Sequence, residues 1–133
     1  MAGKVAYLSR EWRDEVERRL KKELSPEKMK FLTTSVAFNY TDCPDGKDRY
    51  LYLKTENGVF TDVTVDEGSS QGAEFVITGS YDLFSRVTQG LVSSQRALMS
   101  GKLKLKGNMV RALKLASLSD RMNKIMSQIP TEY

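Results

Sequence analysis

The apolar residues near the N-terminus recur at helical spacing. A stripe with one apolar position every four residues runs along an otherwise charged segment, and this pattern predicts an amphipathic helix. Its members are Leu8, Trp12, Val16, Leu20 and Leu24. Ser9 is the predicted N-cap. In the following segment "SPEK", Ser25 as cap and Pro26 in the first turn predict a second, short helix.

In the next part of the chain, apolar and polar residues alternate with a period of two. The segments "TSVAFNYT", "RYLYLKTE", "VFTDVTVDE" and "AEFVITG" predict four strands. Asn57-Gly58, between the second and third segments, predicts a type I′ hairpin turn, because both central residues of that turn have positive φ. The short connections between these segments predict that the four strands form an antiparallel meander.

The last third of the chain returns to helical spacing. Ser80 caps a predicted helix with Leu83, Phe84, Val87 and Leu91 on one face, and a short helix follows over about 94–100. "GKLKLKG" then alternates as a fifth strand. Asn108 caps the final apolar-periodic segment, which Pro130 ends. The pattern leaves open whether 117–120 divides that segment into two helices.

Strands and helices are therefore grouped separately along the chain. This order predicts an α/β (α+β) fold in which helices cover a five-stranded, mostly antiparallel sheet. A chain of 133 residues is long enough for one hydrophobic core, and we expect one domain over residues 1–133.

Charge is distributed unevenly around the net value of +4. Lys and Arg outnumber Asp and Glu by nine to three after residue 80, whereas acidic residues dominate over 31–79. A basic surface of this kind attracts phosphates or anionic lipid headgroups. It is equally typical of a solvated helix surface, and the basic segment contains no signature of a nucleic-acid-binding motif. We therefore expect no nucleic-acid partner.

Residues suited to covalent chemistry are scarce. The chain has no histidine, which removes the commonest general base and metal ligand. "GSSQG" fits a nucleophile elbow by its letters only, because it joins two predicted strands. The spacing of Asp42, Asp45 and Asp48 is not that of a calcium loop, and Cys43 has no predicted base beside it. We therefore expect no catalytic residues, no metal site, no cofactor and no enzymatic activity.

The segment "GKLKLKGNMVRALKLASL", residues 101–118, resembles the strand-to-helix signature of the sterol carrier protein 2 family. The preceding "AEFVITGSYDLFSRVTQGLVSSQRALMSG" is similar to the family's strand, helix and short helix. The resemblance is specific over about 73–118, loose over 26–72 and absent from the first helix and the last dozen residues. It implies a non-enzymatic intracellular protein that binds or transfers a lipid in an apolar tunnel enclosed by the sheet and helices.

The resemblance, combined with the periodicity, places the large apolar side chains around that tunnel. Leu103 and Leu105 are expected to point inward, with Lys102, Lys104 and Lys106 on the solvated side. The expected ligand-binding residues are Phe38, Leu51, Leu53, Val63, Phe75, Ile77, Leu83, Phe84, Val87, Leu91, Leu98, Met99, Leu103, Leu105, Met109, Leu113, Met122, Ile125 and Met126.

The implied partners are a fatty acid, a fatty acyl-CoA or a similar lipid, with transient contact to anionic membranes. Arg111 and Lys114 are the expected headgroup contacts. The chain ends in Thr131-Glu132-Tyr133, not in the peroxisomal signal Ser-Lys-Leu, so a cytoplasmic location is expected. One alternative stays open: a scaffold whose cavity is filled by its own side chains and which binds a partner protein, as accessory proteins of isoprenoid-quinone synthesis do.

Overall fold

The computed structural model describes residues 3–133 and consists of a five-stranded sheet, a two-stranded sheet and five helices. In chain order the elements are β1 (Val5–Ala6), α1 (Arg10–Glu23), β2 (Thr34–Thr41), β3 (Arg49–Glu56), β4 (Val59–Glu67), β5 (Phe75–Ser80), α2 (Tyr81–Thr88), α3 (Ser94–Met99), β6 (Lys104–Lys106), α4 (Met109–Lys114), α5 (Ala116–Ser127) and β7 (Thr131–Glu132). The predicted fold class, a mostly antiparallel five-stranded sheet with helices, is confirmed.

The order of strands in the large sheet is β4-β3-β2-β5-β6. The expected meander is wrong at its fourth strand, because β5 pairs in parallel with β2 and not with β4. The connection over residues 68–74 therefore passes β3 and β2 to reach β5. Asn39 holds this crossover, since its Nδ2 donates to the Ser70 carbonyl oxygen at 3.1 Å and its Oδ1 accepts from the Ser70 N–H at 2.9 Å.

The helix caps and the hairpin turn that were predicted from local sequence signals are confirmed. The side-chain oxygens of Ser9, Ser80 and Asn108 each accept a backbone N–H three residues on, at the starts of α1, α2 and α4. Asn57 and Gly58 have φ of 50° and 81°, as the predicted type I′ turn requires.

The predicted short helix at "SPEK" is wrong. Residues 26–30 form turns, in which the Met29 N–H donates to the Ser25 carbonyl oxygen at 3.0 Å. Lys30 and Phe31 then adopt positive φ, which ends the helical path after one turn. The chain is thereby redirected into β2, and Met29 is buried in the core.

The two ends of the described chain pair with each other. β1 and β7 form a parallel pair in which the Val5 N–H donates to the Pro130 carbonyl oxygen at 3.0 Å and the Tyr7 N–H to the Glu132 carbonyl oxygen at 2.9 Å. The sequence pattern did not predict this pair. It fixes the backbone of Tyr7 beside Glu132, and the side chain of Tyr7 is buried in the core.

α4 and α5 form one nearly continuous run with a break at Leu115. The break precedes 117–120, the position at which the sequence left the question open. Helices α1 and α5 pack against each other, and α5 also contacts α2 and α3. The helices thus cover the sheet face that carries Phe38, Leu51 and Leu53.

Gly107 at the turn between β6 and α4 has φ of 139°, and a Cβ there would lie 2.8 Å from the Glu74 carbonyl oxygen. We expect Gly107→Ala to lower the free energy of unfolding by about 1–3 kcal/mol, because both the backbone angle and the space are unfavourable. Chemical denaturation measures the loss. Gly72→Ala is the matched control, since Gly72 has open space and no positive φ. Equal stability of the two variants would contradict this account of the turn.

Candidate binding cavity

A cavity lies between the inner face of the large sheet and the helices. Alternate residues of β2 form one wall, from Thr34 through Val36 and Phe38 to Tyr40. At about 3.3 Å per residue the lined part of this strand is about 20 Å long. Leu51 and Leu53 on β3 extend the wall sideways.

The opposite wall is helical and has two adjoining stripes along α4 and α5. One consists of Ala112, Ala116, Ser119 and Asn123, and the other of Leu115, Leu118, Met122 and Met126. Both stripes follow the three-and-four spacing of a helix face. Small side chains in the first stripe leave space above the sheet, and Phe84 and Val87 of α2 close the side.

The cavity has a volume of about 100 Å³, several times the roughly 10–15 Å³ that one water molecule needs. Its wall contains no charged residue, and most of its surface is apolar. The polar wall residues are neutral. Ser94, Gln95, Ser119 and Asn123 lie along the α3–α5 side, with Ser94 and Gln95 at the start of α3.

At one end of the cavity, two wall residues belong to a buried cluster of hydroxyl groups. The Tyr7 hydroxyl lies 2.8 Å from both the Tyr40 hydroxyl and Thr88 Oγ1. Burial raises the pKa of Tyr7 well above its ordinary value and raises that of Tyr40 as well. Both phenols therefore stay neutral at physiological pH, and this end of the cavity is polar without being charged.

The other end of the cavity adjoins an ion pair. Thr34 Oγ1 donates to Glu74 Oε1 at 2.6 Å, and Arg111 Nε donates to Glu74 Oε2 at 2.5 Å. The side chains of Arg111 and Glu74 are 42% and 38% exposed. The charged groups at this end therefore lie at the boundary with solvent. Glu74 and Arg111 are the sequence neighbours of the wall residues Phe75 and Ala112.

Eleven of the residues predicted from the sequence lie in the cavity wall. They are Phe38, Leu51, Leu53, Phe75, Ile77, Phe84, Val87, Leu98, Leu103, Met122 and Met126. Leu105 pairs with Ile77 in the sheet but is outside the wall. Lys102, Lys104 and Lys106 are exposed, as expected.

The other predicted positions are corrected by the structure. Leu91 and Met99 are 71% and 68% exposed; Leu91 follows the end of α2 at Thr88, and Met99 is the last residue of α3. Met109, the first residue of α4, is also exposed. The remaining corrections concern Val63 and Ile125, which are buried outside the wall, and Leu83, Leu105 and Leu113, which are half-buried outside it.

The sequence prediction missed every small or polar residue of the wall and several large apolar ones. The missed residues are Met29, Leu32, Thr34, Val36, Tyr40, Thr55, Phe60, Thr88, Ser94, Gln95, Ala112, Leu115, Ala116, Leu118, Ser119 and Asn123. The spacing of Ala112, Ala116 and Ser119 was a usable signal, since small residues on a face that also carries large ones leave a gap beneath a helix. The positions of the large apolar residues alone do not reveal this gap.

The rest of the described chain offers little alternative chemistry. Cys43 is buried, its thiol lies 3.7 Å from the Tyr40 carbonyl oxygen, and burial raises its pKa. Arg49 binds Asp45 and lowers the pKa of that carboxyl to about 2. Among residues 3–133, no group of acidic, cysteine or histidine side chains could hold a metal ion. No helix in the same range has the length and apolar character needed to cross a membrane.

The chain is similar to proteins of one family. The sequence profile of the SCP-2 sterol transfer family matches residues 14–120, which includes most of α1, where no resemblance was expected. A crystal structure of sterol carrier protein 2 superposes with a TM-score of 0.80 at 22% identity, covering 92% of this chain and 98% of that one.

Two curated relatives extend the comparison. Hydroxysteroid dehydrogenase-like protein 2 from Bos taurus is 40% identical over 79 residues, 59% of this chain. The match spans only 18% of that protein's length. A fatty acid-binding protein from Yarrowia lipolytica is 34% identical over 87 residues, 65% of each chain.

The hydroxyl cluster predicts unequal effects for two similar substitutions. Tyr7→Phe leaves both the Tyr40 and Thr88 hydroxyls without the partner they share, whereas Tyr40→Phe keeps the bond between Tyr7 and Thr88. We expect Tyr7→Phe to lower the free energy of unfolding by about 2–3 kcal/mol and Tyr40→Phe by about 1 kcal/mol. Denaturant titrations with unchanged slope measure the difference. A larger loss for Tyr40→Phe would contradict the shared role of Tyr7.

Proposed function

The chain belongs to the SCP-2 sterol transfer family, and from this premise we propose that it binds a long-chain lipid in the cavity and transfers or presents it. The observation that carries the proposal is a wall without charged residues along about 20 Å of β2. A fatty acid, a fatty acyl-CoA or a similar lipid suits this shape, because its alkyl chain gains most from an apolar and elongated site. The name of the Yarrowia lipolytica relative agrees with this ligand class.

Transfer of the alkyl chain from water supplies the driving force. Each CH₂ group removed from water contributes about 0.8 kcal/mol, so a sixteen-carbon chain gains on the order of 10 kcal/mol before costs. Lost rigid-body freedom and ordering of side chains offset much of this gain. We expect dissociation constants from micromolar to submicromolar.

We propose further that the protein is not an enzyme. The cavity wall offers hydroxyl and amide groups but no charged acid, base or nucleophile activated by one, and the chain has no histidine. The match to hydroxysteroid dehydrogenase-like protein 2 covers a small part of that protein, so most of it lies outside the match. We propose that a role of this chain in catalysis is limited to presenting a lipid to a separate active site.

The headgroup is proposed to lie at the Arg111 end of the cavity. Arg111 is adjacent in sequence to the wall residue Ala112, and Lys114 is exposed on the same short helix. The ion pair of Arg111 with Glu74 is half-exposed, and such pairs contribute about 0–1 kcal/mol. An anionic headgroup can therefore replace Glu74 as the partner of Arg111 at little cost.

α4 is the element proposed to open for exchange. No residue of α4 is fully buried, and helices with few buried contacts open at low free energy. Exposed basic residues on α4 and β6 would then approach anionic lipid headgroups during transient contact with a membrane. The cytoplasmic location stays a prediction, and no observation favours the scaffold with a filled interior.

Filling the cavity tests the proposal directly. Ala116 lines the space at the start of α5, and we expect Ala116→Phe to abolish displacement of a fluorescent fatty acid while the protein stays folded, because the ring occupies empty volume instead of overpacking a solid core. Ala6→Phe, on the exposed edge of β1, is the control. Native mass spectrometry of the unmodified protein should show a co-purifying mass of a few hundred daltons. Unchanged fatty acid binding by Ala116→Phe would overturn the proposed site.

The headgroup assignment has its own test. We expect Glu74→Gln to tighten palmitate binding by about two- to fivefold, since it removes a competing negative charge beside Arg111 but keeps an acceptor for Thr34. Arg111→Met should weaken palmitate binding by a similar factor. Isothermal titration at two salt concentrations measures both effects. If both variants bind palmitate like the unmodified protein, the headgroup lies elsewhere.

A further inference from the structure

The hydroxyl of Thr55 is an unpaired polar group inside the cavity. Thr55 lies in the wall, its residue is only 3% exposed, and its Oγ1 has no hydrogen-bond partner among residues 3–133. Trp12 Nε1 is the other buried side-chain nitrogen or oxygen in that range without a hydrogen-bond partner. Trp12 lies outside the wall. Buried polar groups are normally paired, and leaving one unpaired lowers stability. The Thr55 hydroxyl therefore requires an explanation from what the cavity holds.

Within residues 3–133, no neighbour of Thr55 forms a hydrogen bond with its hydroxyl. Phe60 stands opposite Thr55 on β4, and the regular pairing of β3 with β4 is interrupted between Lys54 and Thr55. Leu53, two residues earlier on β3, also lines the cavity. A ligand with only CH₂ groups at this position would leave the hydroxyl unpaired in the complex as well.

The register of the sheet places Thr55 close to the proposed headgroup position. Thr55 is the direct partner of Thr34 across β2 and β3, and side chains paired in this way have Cβ atoms about 4.5–5.5 Å apart. Thr34 donates to Glu74, which in turn holds Arg111. From solvent inward, the order is thus the half-exposed ion pair, then Thr34, then the fully buried Thr55.

We propose that the bound lipid carries a hydroxyl or carbonyl oxygen a few bonds from its acidic head, and that this oxygen hydrogen-bonds to Thr55 Oγ1. The separation of Thr34 and Thr55 corresponds to about three or four carbon–carbon bonds of about 1.5 Å. A 3-hydroxy or 3-oxo fatty acyl group has its oxygen at about this distance, since four bonds separate that oxygen from a carboxylate oxygen. This inference rests on the proposed function and narrows its ligand class.

A site that contains a buried hydroxyl discriminates against ligands that cannot pair with it. The test compares three ligands in the unmodified protein: palmitate, 3-hydroxypalmitate and the ω-hydroxy isomer, whose hydroxyl lies at the tail. Because the two hydroxy isomers have equal polarity, only the position of the oxygen distinguishes them. We expect 3-hydroxypalmitate to bind about tenfold tighter than the ω-hydroxy isomer.

The variants assign that preference to one atom. Thr55→Val removes the hydroxyl at nearly constant shape and should abolish the preference for 3-hydroxypalmitate over the ω-hydroxy isomer. Thr55→Ser retains a hydroxyl and should retain the preference. Thr78→Val is the matched control, since Thr78 lies on β5 outside the cavity wall and its substitution should leave the preference intact.

The inference and the proposed function fail in different ways. If the unmodified protein binds palmitate but does not distinguish the two hydroxy isomers, the role of Thr55 is overturned and the lipid-binding proposal stands. An equal loss of affinity for all three ligands in Thr55→Val also overturns it, because the hydroxyl would then act on the fold or on the head itself. If none of the three ligands binds to the unmodified protein, the lipid-binding proposal fails, and this inference fails with it.

Discussion

The small side chains on the sheet-facing side of α4 and α5 are the constraint on which the interior depends. Ala112, Ala116 and Ser119 face the sheet where a conventional core would have large apolar residues. Protein interiors are normally close-packed, so a persistent stripe of small residues above a sheet defines a space that the chain itself does not fill.

Charged groups lie at the edge of the cavity and not in its wall, because burying a charge is unfavourable. An unpaired ion inside an apolar wall is strongly unfavourable, and the wall contains none. The neutral hydroxyls of Tyr40 and Thr88 pair with Tyr7 at one end. At the other end Arg111 and Glu74 pair at the boundary with solvent. An amphiphile placed with its head at that boundary and its chain inside meets a matching change in polarity along its length.

The alternating lysines of β6 have a structural role of their own. β6 is an edge strand of the large sheet, and Lys104 and Lys106 are exposed beside the half-buried Leu105. Lysines on an edge strand discourage pairing with the edge of another sheet. Their side chains therefore keep the sheet edge solvated whether or not they also meet a membrane, and the inward-facing Leu103 is the residue of this segment that contacts the cavity.

The sequence by itself determined the local elements. The bounds of β2, β3 and β4, the caps Ser9, Ser80 and Asn108 and the turn at Asn57-Gly58 were all predicted, because each depends on φ preferences and hydrogen bonds within a few residues. Eleven large apolar residues of the cavity wall were also predicted, since period and size identify core-facing positions.

Only the tertiary structure decided the parallel pairing of β5 with β2, the pairing of β1 with β7 and the position of Thr55 opposite Thr34. These features join residues that are distant in the chain, and their register depends on how the whole sheet and its helices pack. The same reason explains why Leu91 was misplaced and Ala116 was missed. Whether a side chain faces a cavity depends on where its helix ends and on what lies across the gap, and neither is encoded in the spacing of one segment.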